Sequence, residues 1–306
     1  MITPKKWPPI KIQLAIDGSE YSMAAAHLIR SLPLFQGSEI SALGVLTTYH
    51  APNRSALLVA LNETKYILRG SGAEVQIDLL YGHPAKALTD FADEYEPDLI
   101  VVGAKGLRAT LGILLGGVAQ QLVEYARWPV LVVRAPHTQL SRVLLVVDGS
   151  THSQCAVKYL SRFPFPTGIE VRVMHILPPI PKFEYFYPPD RNLYSLDYIK
   201  PVSSYEIEQD NAPQAQVEEQ EGQVLLKKTG EMLSESGVET AIVLKRGDAA
   251  TEILEYVKSN NIDLLVAGSR GLSAVKGWLL GSVSRKLVHY AGCSVLIVRE
   301  SGDASV

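Results

Sequence analysis

The sequence predicts an α/β protein built from two tandem doubly wound domains, each a five-stranded parallel sheet with helices on both faces. Three observations predict it: an internal repeat, short apolar runs alternating with helix-period segments, and a glycine pattern that recurs at the same place in each half. At 306 residues the chain is long for one domain and comfortable for two of about 150 residues. With 47% hydrophobic and 20% charged residues, each half has the apolar material for its own core.

The repeat sets the frame, because a missed repeat misreads the whole fold. IQLAIDGS at 12–19 resembles VLLVVDGS at 143–150, which places Asp17 against Asp148, 131 positions apart (148 − 17). LIVVGAKG at 99–106 resembles LLVAGSRG at 264–271, which places Gly103 against Gly268, 165 positions apart (268 − 103). The second copy therefore carries 34 extra residues (165 − 131). Val45 and Ile176 keep the first spacing while Gly82 and Gly247 keep the second, so the insertion falls at about 178–211. That stretch holds Pro178, Pro179, Pro181, Pro188, Pro189 and Pro201 among Phe183, Tyr185, Phe186, Tyr187, Tyr194, Tyr198 and Tyr205. Its prolines disfavour a helix or central strand, and it is too aromatic for a solvated linker. An ordered lid or arm is expected there. The domain bounds read as 1–137 and 138–306.

In the first copy, the apolar run 12–16 is a strand ending at Asp17-Gly18, and Ser19 can cap a helix through about 32 with Ala24, Ala25, Leu28 and Ile29 as its stripe. Residues 40–46 form a second strand and 56–68 a second helix. A strand at 75–80, a helix at 85–95 and a strand at 99–102 follow. The copy closes with a helix at 117–125 and the strand VLVV at 130–133. The second copy repeats this order and ends in VLIV at 295–298. Near-continuous apolar strands separated by helices imply a parallel sheet covered on both faces, and right-handed crossovers then make each copy Rossmann-like. Ligands of such folds sit beyond the carboxyl ends of the strands, where Asp17, Gly103 and their counterparts fall.

The most informative feature follows the fourth strand. The second copy has Gly268-Ser269-Arg270-Gly271, nine residues, then Gly281-Ser282-Val283-Ser284. The first has Gly103-Ala104-Lys105-Gly106, nine residues, then Gly116-Gly117-Val118-Ala119. Glycines let backbone N–H groups approach an anion, and a helix opening at the last glycine turns its unpaired N–H groups and dipole toward a phosphate. Ser282 and Ser284 would add hydroxyl donors and Arg270 charge, whereas the first copy has Gly117 and Ala119 and loses both hydroxyls. Each such bond to a charged acceptor is worth about 1.5–3 kcal/mol, so the first copy is expected to bind more weakly or not at all. Glycines after a strand also simply make tight turns and close helix packing. The pattern is neither a P-loop nor a G-x-G-x-x-G fingerprint.

Asp17 and Asp148 have two readings that can coexist, as ligand contacts or as the turn and cap residues of Asp-Gly-Ser. Arg270 and Lys105 read first as solvated side chains. His175, inside an apolar run, reads as a satisfied core histidine. Glu218, Glu219 and Glu221 read as the acidic first turn of a helix.

Other classes of chemistry find no support. The seven histidines show no metal-ligand spacing, and no nucleophile elbow is present. The net charge of -3 and the lack of a basic stretch argue against a nucleic-acid partner. No run of about 18 apolar residues suggests a membrane span. Cys155 and Cys293 read as two buried thiols rather than a disulfide framework, and no signal peptide is evident, so a cytoplasmic location is expected.

The strand-Asp start, the G-x2-G-x9-G-Ser loop and the closing VLIV strand together resemble the universal stress protein family in its tandem form, over nearly the whole chain except the tail and the arm. The resemblance implies an ATP-binding site in which Asp148 and the backbone at Ile176 hold the nucleoside. Gly268, Gly271, Gly281, Ser282, Val283 and Ser284 would then hold the phosphates, with Arg270 beside them. The matching, less complete set in the first copy is Asp17, Val45, Gly103, Gly106, Gly116 and Gly117, of which Gly117 departs from the family pattern. Mg²⁺ would accompany a bound triphosphate. The resemblance also implies that the two closing strands pair with one another, leaving other faces for self-association. The expected function is a stress-response protein regulated by its nucleotide. No residue offers itself as a general base, so slow hydrolysis at most is expected and a phosphotransferase is disfavoured. The rival is a nucleotide-free module that holds a protein or apolar ligand with the aromatic insertion.

Overall fold

The computed structural model describes residues 8–47, 51–107, 114–136, 139–180, 204–272 and 280–299. The first copy runs β1 (Lys11–Ile16), α1 (Glu20–Ser31), β2 (Glu39–Leu46), α2 (Ala51–Ile67), β3 (Glu74–Tyr81), α3 (Pro84–Tyr95), β4 (Leu99–Gly103), α4 (Gly117–Tyr125) and β5 (Val130–Val133). The second runs β6 (Arg142–Val146), α5 (Thr151–Leu160), β7 (Glu170–Leu177), α6 (Ser204–Glu235), β8 (Thr240–Arg246), α7 (Ala249–Ser259), β9 (Leu264–Gly268), α8 (Ser282–Tyr290) and β10 (Ser294–Val298). The strands expected from the apolar runs are all present.

The two copies share one ten-stranded sheet in the order β3-β2-β1-β4-β5-β10-β9-β6-β7-β8. Within each copy every pairing is parallel, as crossover helices require. The closing strands meet antiparallel, with Leu131 opposite Leu296. Each covers the edge the other would expose, which removes two unpaired apolar edges at once.

Two apolar layers sandwich the sheet. Leu28 and Ile29 of α1, Leu61 of α2, Leu160 of α5 and Leu226 and Leu233 of α6 pack on one face. Leu88 of α3, Leu122 of α4, Ile253 of α7 and Leu287 of α8 pack on the other. The alternation of sides is what opens a crevice between β1 and β4, and between β6 and β9. There the chain leaves one strand toward one face and its neighbour toward the opposite face.

Local chemistry fixes the strand-to-helix turns. Gly18 and Gly149 adopt φ of 84° and 83°, which lets Asp-Gly-Ser turn directly into a helix. Ser19 then caps α1 by accepting the N–H of Ser22, and Ser150 caps α5 by accepting that of Ser153.

Three local expectations need correction. The helix expected at 56–68 begins five residues earlier, at Ala51. The expected arm lies, over 181–203, outside the described residues, and its last residues belong to α6. Proline density explains why: after Pro201 none occurs until Pro213, so nothing in 204–211 opposes a helix. Glu218, Glu219 and Glu221 consequently sit well inside α6 and not in its first turn. Glu218 is instead tied to Arg246 of β8 at 2.6 Å.

Candidate functional site

At the carboxyl ends of β6, β7 and β9 lies a cleft of about 360 Å³. All nine residues singled out in the second copy line it: Asp148, Ile176, Gly268, Arg270, Gly271, Gly281, Ser282, Val283 and Ser284. The parallel sheet brings them together from four separate segments.

The glycines are required by close approach. A Cβ on Gly268 would lie 2.7 Å from the carbonyl of His152 at the start of α5, and one on Gly271 would lie 2.6 Å from Oδ2 of Asp148. The loop is folded by its own backbone, with Ser269 N–H donating to Val298 O and Gly281 N–H donating to Ser269 O, both at 2.8 Å. Asp148 is the brace. Its Oδ1 accepts the amide and hydroxyl of Ser150 at 3.0 and 2.6 Å, and its Oδ2 accepts the amide of Leu272 at 3.0 Å. The turn role read from Asp-Gly-Ser is therefore real, and the same carboxylate borders the cleft.

Beyond the glycine loop, α8 begins at Gly281 with no side chain capping it. By contrast, α1, α5 and α7 are capped by Ser19, Ser150 and Asp248. Among the described residues no side chain thus caps the first turn of α8, whose residues line the cleft, a ready anion site. Ser282, exposed at the first helical position, adds a hydroxyl to the same rim. Ser284 does not. It is buried, and its hydroxyl donates to Gly268 O at 2.8 Å, so its proton serves the loop.

Opposite the loop the wall is apolar. Val147, Ile176, Ala249 and Ile253 supply it. Ala249 and Ile253 were not picked out from the sequence, although Gly247-Asp248, following β8, with Asp248 capping α7, marks where they begin. His175 is satisfied as expected, with Nδ1 2.8 Å from Val147 O, but it is only half-buried and also borders the cleft.

The first copy forms the same construction around a cleft of about 520 Å³ lined by Asp17, Val45, Gly103, Gly106, Gly116 and Gly117. Asp17 accepts Ser19 N–H and Leu107 N–H, each at 3.0 Å. A Cβ on Gly106 would lie 2.6 Å from Asp17 Oδ2, and Gly116 N–H donates to Ala104 O at 2.7 Å. Helix α4 also starts uncapped. The Lys105 ammonium lies over the ring of Tyr21 at 5.6 Å. Around Gly117 there is open space. Because Ser284 bonds the loop, its replacement by Ala119 removes no hydroxyl from the ligand face. The two copies differ there by one hydroxyl, Ser282 against Gly117, and not by the two expected. The first cleft is larger, and Leu57 and Leu88 belong to its apolar lining, Leu88 at the place of Ile253 in the second.

Among the described residues, no three histidine, cysteine, aspartate or glutamate side chains cluster to hold a metal, and no helix is long and apolar enough to cross a membrane. Neither cysteine forms a disulfide; Cys293 is buried, whereas Cys155 is only partly so.

The profile of the universal stress protein family matches residues 11–134 and again 140–299. A universal stress protein of Mycolicibacterium smegmatis is 27% identical over 234 residues, 74% of this chain and 70% of its own length. One of Mycobacterium tuberculosis is 26% identical over 254 residues, 79% and 76% of the two chains. One of Bacillus subtilis is 42% identical over 79 residues, 26% of this chain and 53% of the relative, so that match spans about half of it. Among solved structures, a universal stress protein of Archaeoglobus fulgidus superposes with a TM-score of 0.63 at 18% identity, over 96% of this chain and 98% of that one. A putative universal stress protein of Pseudomonas aeruginosa gives 0.64 at 13% identity, over 96% and 94%. With both halves matched in sequence and the doubly wound sheet matched in space, the chain belongs to the universal stress protein family, as a tandem of two copies.

Proposed function

We propose that this is a stress-response protein that binds ATP in the second-copy cleft, with the nucleotide acting as a regulatory ligand. The observation that carries this reading is the uncapped N-terminus of α8 at the end of a glycine loop, facing an apolar wall. The residues fit the ligand. Ile176, Ala249 and Ile253 suit a flat apolar base, and the Asp148 carboxylate, at the border of the cleft, suits a ribose hydroxyl. The N–H groups of α8 and the Ser282 hydroxyl suit phosphate oxygens. A cleft of about 360 Å³ is of the size that small ligands occupy. Mg²⁺, where present, would be held mainly by the phosphates, since no set of three side-chain ligands is available among the described residues. The chain's own groups bind and orient; the sequence offers no evident general base, and slow turnover at most belongs to this proposal. The first cleft is proposed as a weaker second site, and the cytoplasm as the place of action.

Calorimetric titration of nucleotide-stripped protein with ATP, beside a Gly281→Val, Ser282→Ala variant, tests this. Binding of about one ATP per chain that vanishes in the variant is the expected result. Two per chain would make the first cleft equally competent. A folded wild type that binds none would overturn the reading.

A further inference from the structure

Arg134 directly follows β5 and Arg299 directly follows β10, at equivalent places in the two copies (299 − 134 = 165). Each reaches into the other copy. Arg134 Nη2 donates to Val288 O at 2.9 Å and His289 O at 3.2 Å, the carbonyls of the last turn of α8. Arg299 Nη2 donates to Val123 O, and to Glu124 O at 2.9 Å, in the last turn of α4. Last-turn carbonyls lack intrahelical partners and carry the negative end of the helix dipole, which a guanidinium fork suits.

Arg134 does one thing more. Its Nη1 donates to Leu114 O at 2.9 Å, two residues before Gly116. One guanidinium therefore grips the closing segment of the first glycine loop and the far end of the helix whose N-terminus closes the second cleft. Helix α8 is only nine residues long, so a tilt at its first turn is delivered to its last. A loose ion pair crosses the same seam, with Arg285 of α8 4.0 Å from Glu124 of α4. Burial pushes the pKa of Arg134 down from its ordinary value, so the carbonyls around it offset a desolvated charge.

We propose that Arg134 is a positioning residue that couples the two clefts, holding α8 and the first glycine loop in register so that occupancy of the second cleft is felt in the first. The ligand-driven half of this rests on the ATP reading above; the structural half does not.

The test is residue-resolved amide hydrogen exchange on the full chain. Without nucleotide, the amides of Gly116 and Gln120 report the first loop, and those of Gly281 and Arg285 the second, through their bonds to the carbonyls of Ala104, Gly116, Ser269 and Gly281. Arg134→Met is expected to speed all four about tenfold beyond any change at Leu14 and Leu144 in the sheet, with Arg134→Lys unable to restore them. Acceleration confined to Gly116 and Gln120, or equalled at Leu14 and Leu144, overturns the coupling. With ATP at a concentration that fills the second cleft and leaves the first unfilled, as calorimetry defines it, Gly116 and Gln120 are expected to slow several-fold in the wild type. This slowing should vanish in the Gly281→Val, Ser282→Ala variant, and also in Arg134→Met although ATP still binds. Slowing that survives in Arg134→Met overturns the proposal. Absence of ATP binding by the folded wild type sinks the ligand reading, and the nucleotide-free measurement still decides the coupling.

Discussion

Asp148 accepts the backbone N–H of Leu272 at 3.0 Å across 124 positions of sequence, and so ties the turn after β6 to the glycine loop after β9. Asp17 makes the same tie to Leu107 at 3.0 Å in the first copy. The aspartate after each first strand is thus a brace for the loop, and its worth as a ligand contact comes on top of that role.

Replacing the brace separates the two roles. Asp148→Ala leaves the amides of Ser150 and Leu272 without their acceptor, at a cost of about 1–3 kcal/mol in urea unfolding. Asp148→Asn keeps one acceptor oxygen and should lose less stability. A loss of ATP affinity of about tenfold or more in both variants, by calorimetry, would identify the carboxylate as a direct contact. A loss only in the alanine variant would assign it to bracing.

Gly117→Ser should raise affinity in the first cleft. A Cβ there meets nothing within 4 Å, and the position opens α4 as Ser282 opens α8. One added hydroxyl bond to a phosphate oxygen is worth about 1.5–3 kcal/mol, so binding about tenfold tighter is expected, with about 150-fold as the upper bound. Calorimetric titration in a Gly281→Val, Ser282→Ala background would isolate the first cleft, and unchanged affinity there would mean that no phosphate oxygen reaches Gly117.

Burial pushes the Cys293 thiol up to about 12 from an ordinary 9.0. The folded state therefore keeps the proton that the unfolded state loses. The stability this contributes is complete below about pH 9 and is lost as pH rises toward 12. Urea unfolding of wild type and Cys293→Ala across this range should converge as pH rises. In the native protein near pH 8, Cys293 should react with a thiol reagent far more slowly than the partly exposed Cys155.

Arg246 fastens α6 to the sheet edge. Its guanidinium donates to Glu218 Oε2 at 2.6 Å, Pro178 O at 2.8 Å and Ala215 O at 3.2 Å. Arg246→Met should cost about 1–2 kcal/mol and hasten proteolysis of α6 before Gly222, with β8 unaffected. Uniform loosening of the second copy would show instead that the arginine supports the whole edge.

Much of this protein could be read from its sequence because its signals are local or repeated. Apolar runs mark the central strands, which are buried on both faces and leave little room for polar residues, whereas the edge strands β3 and β8 carry polar residues and are only partly buried. Ser19 and Ser150 mark helix starts through bonds to amides three residues on. The glycine spacing marked the loop that borders each cleft, because close approach leaves no side chain other than hydrogen at Gly103, Gly106, Gly268 and Gly271, and the family resemblance added Asp17, Val45, Asp148 and Ile176 to the lining.

What was misread depended on partners distant in sequence. Ser284 looks like a ligand hydroxyl until the fold brings Gly268 O within 2.8 Å of it. Glu218 looks like a helix opener until α6 proves longer and Arg246 lies beside it. Ala249 and Ile253 look like ordinary helix residues until β7 and β9 turn them into a wall of the cleft.

By itself, then, the sequence determined the two-copy doubly wound architecture and the members of each glycine loop, because period, capping and steric exclusion act between near neighbours in the chain. Only the tertiary structure decided which hydroxyl faces the cleft, how large each cleft is, and that Arg134 of one copy holds α8 of the other. Those follow from the antiparallel meeting of β5 and β10, which sets side chains from opposite ends of the chain within hydrogen-bonding reach.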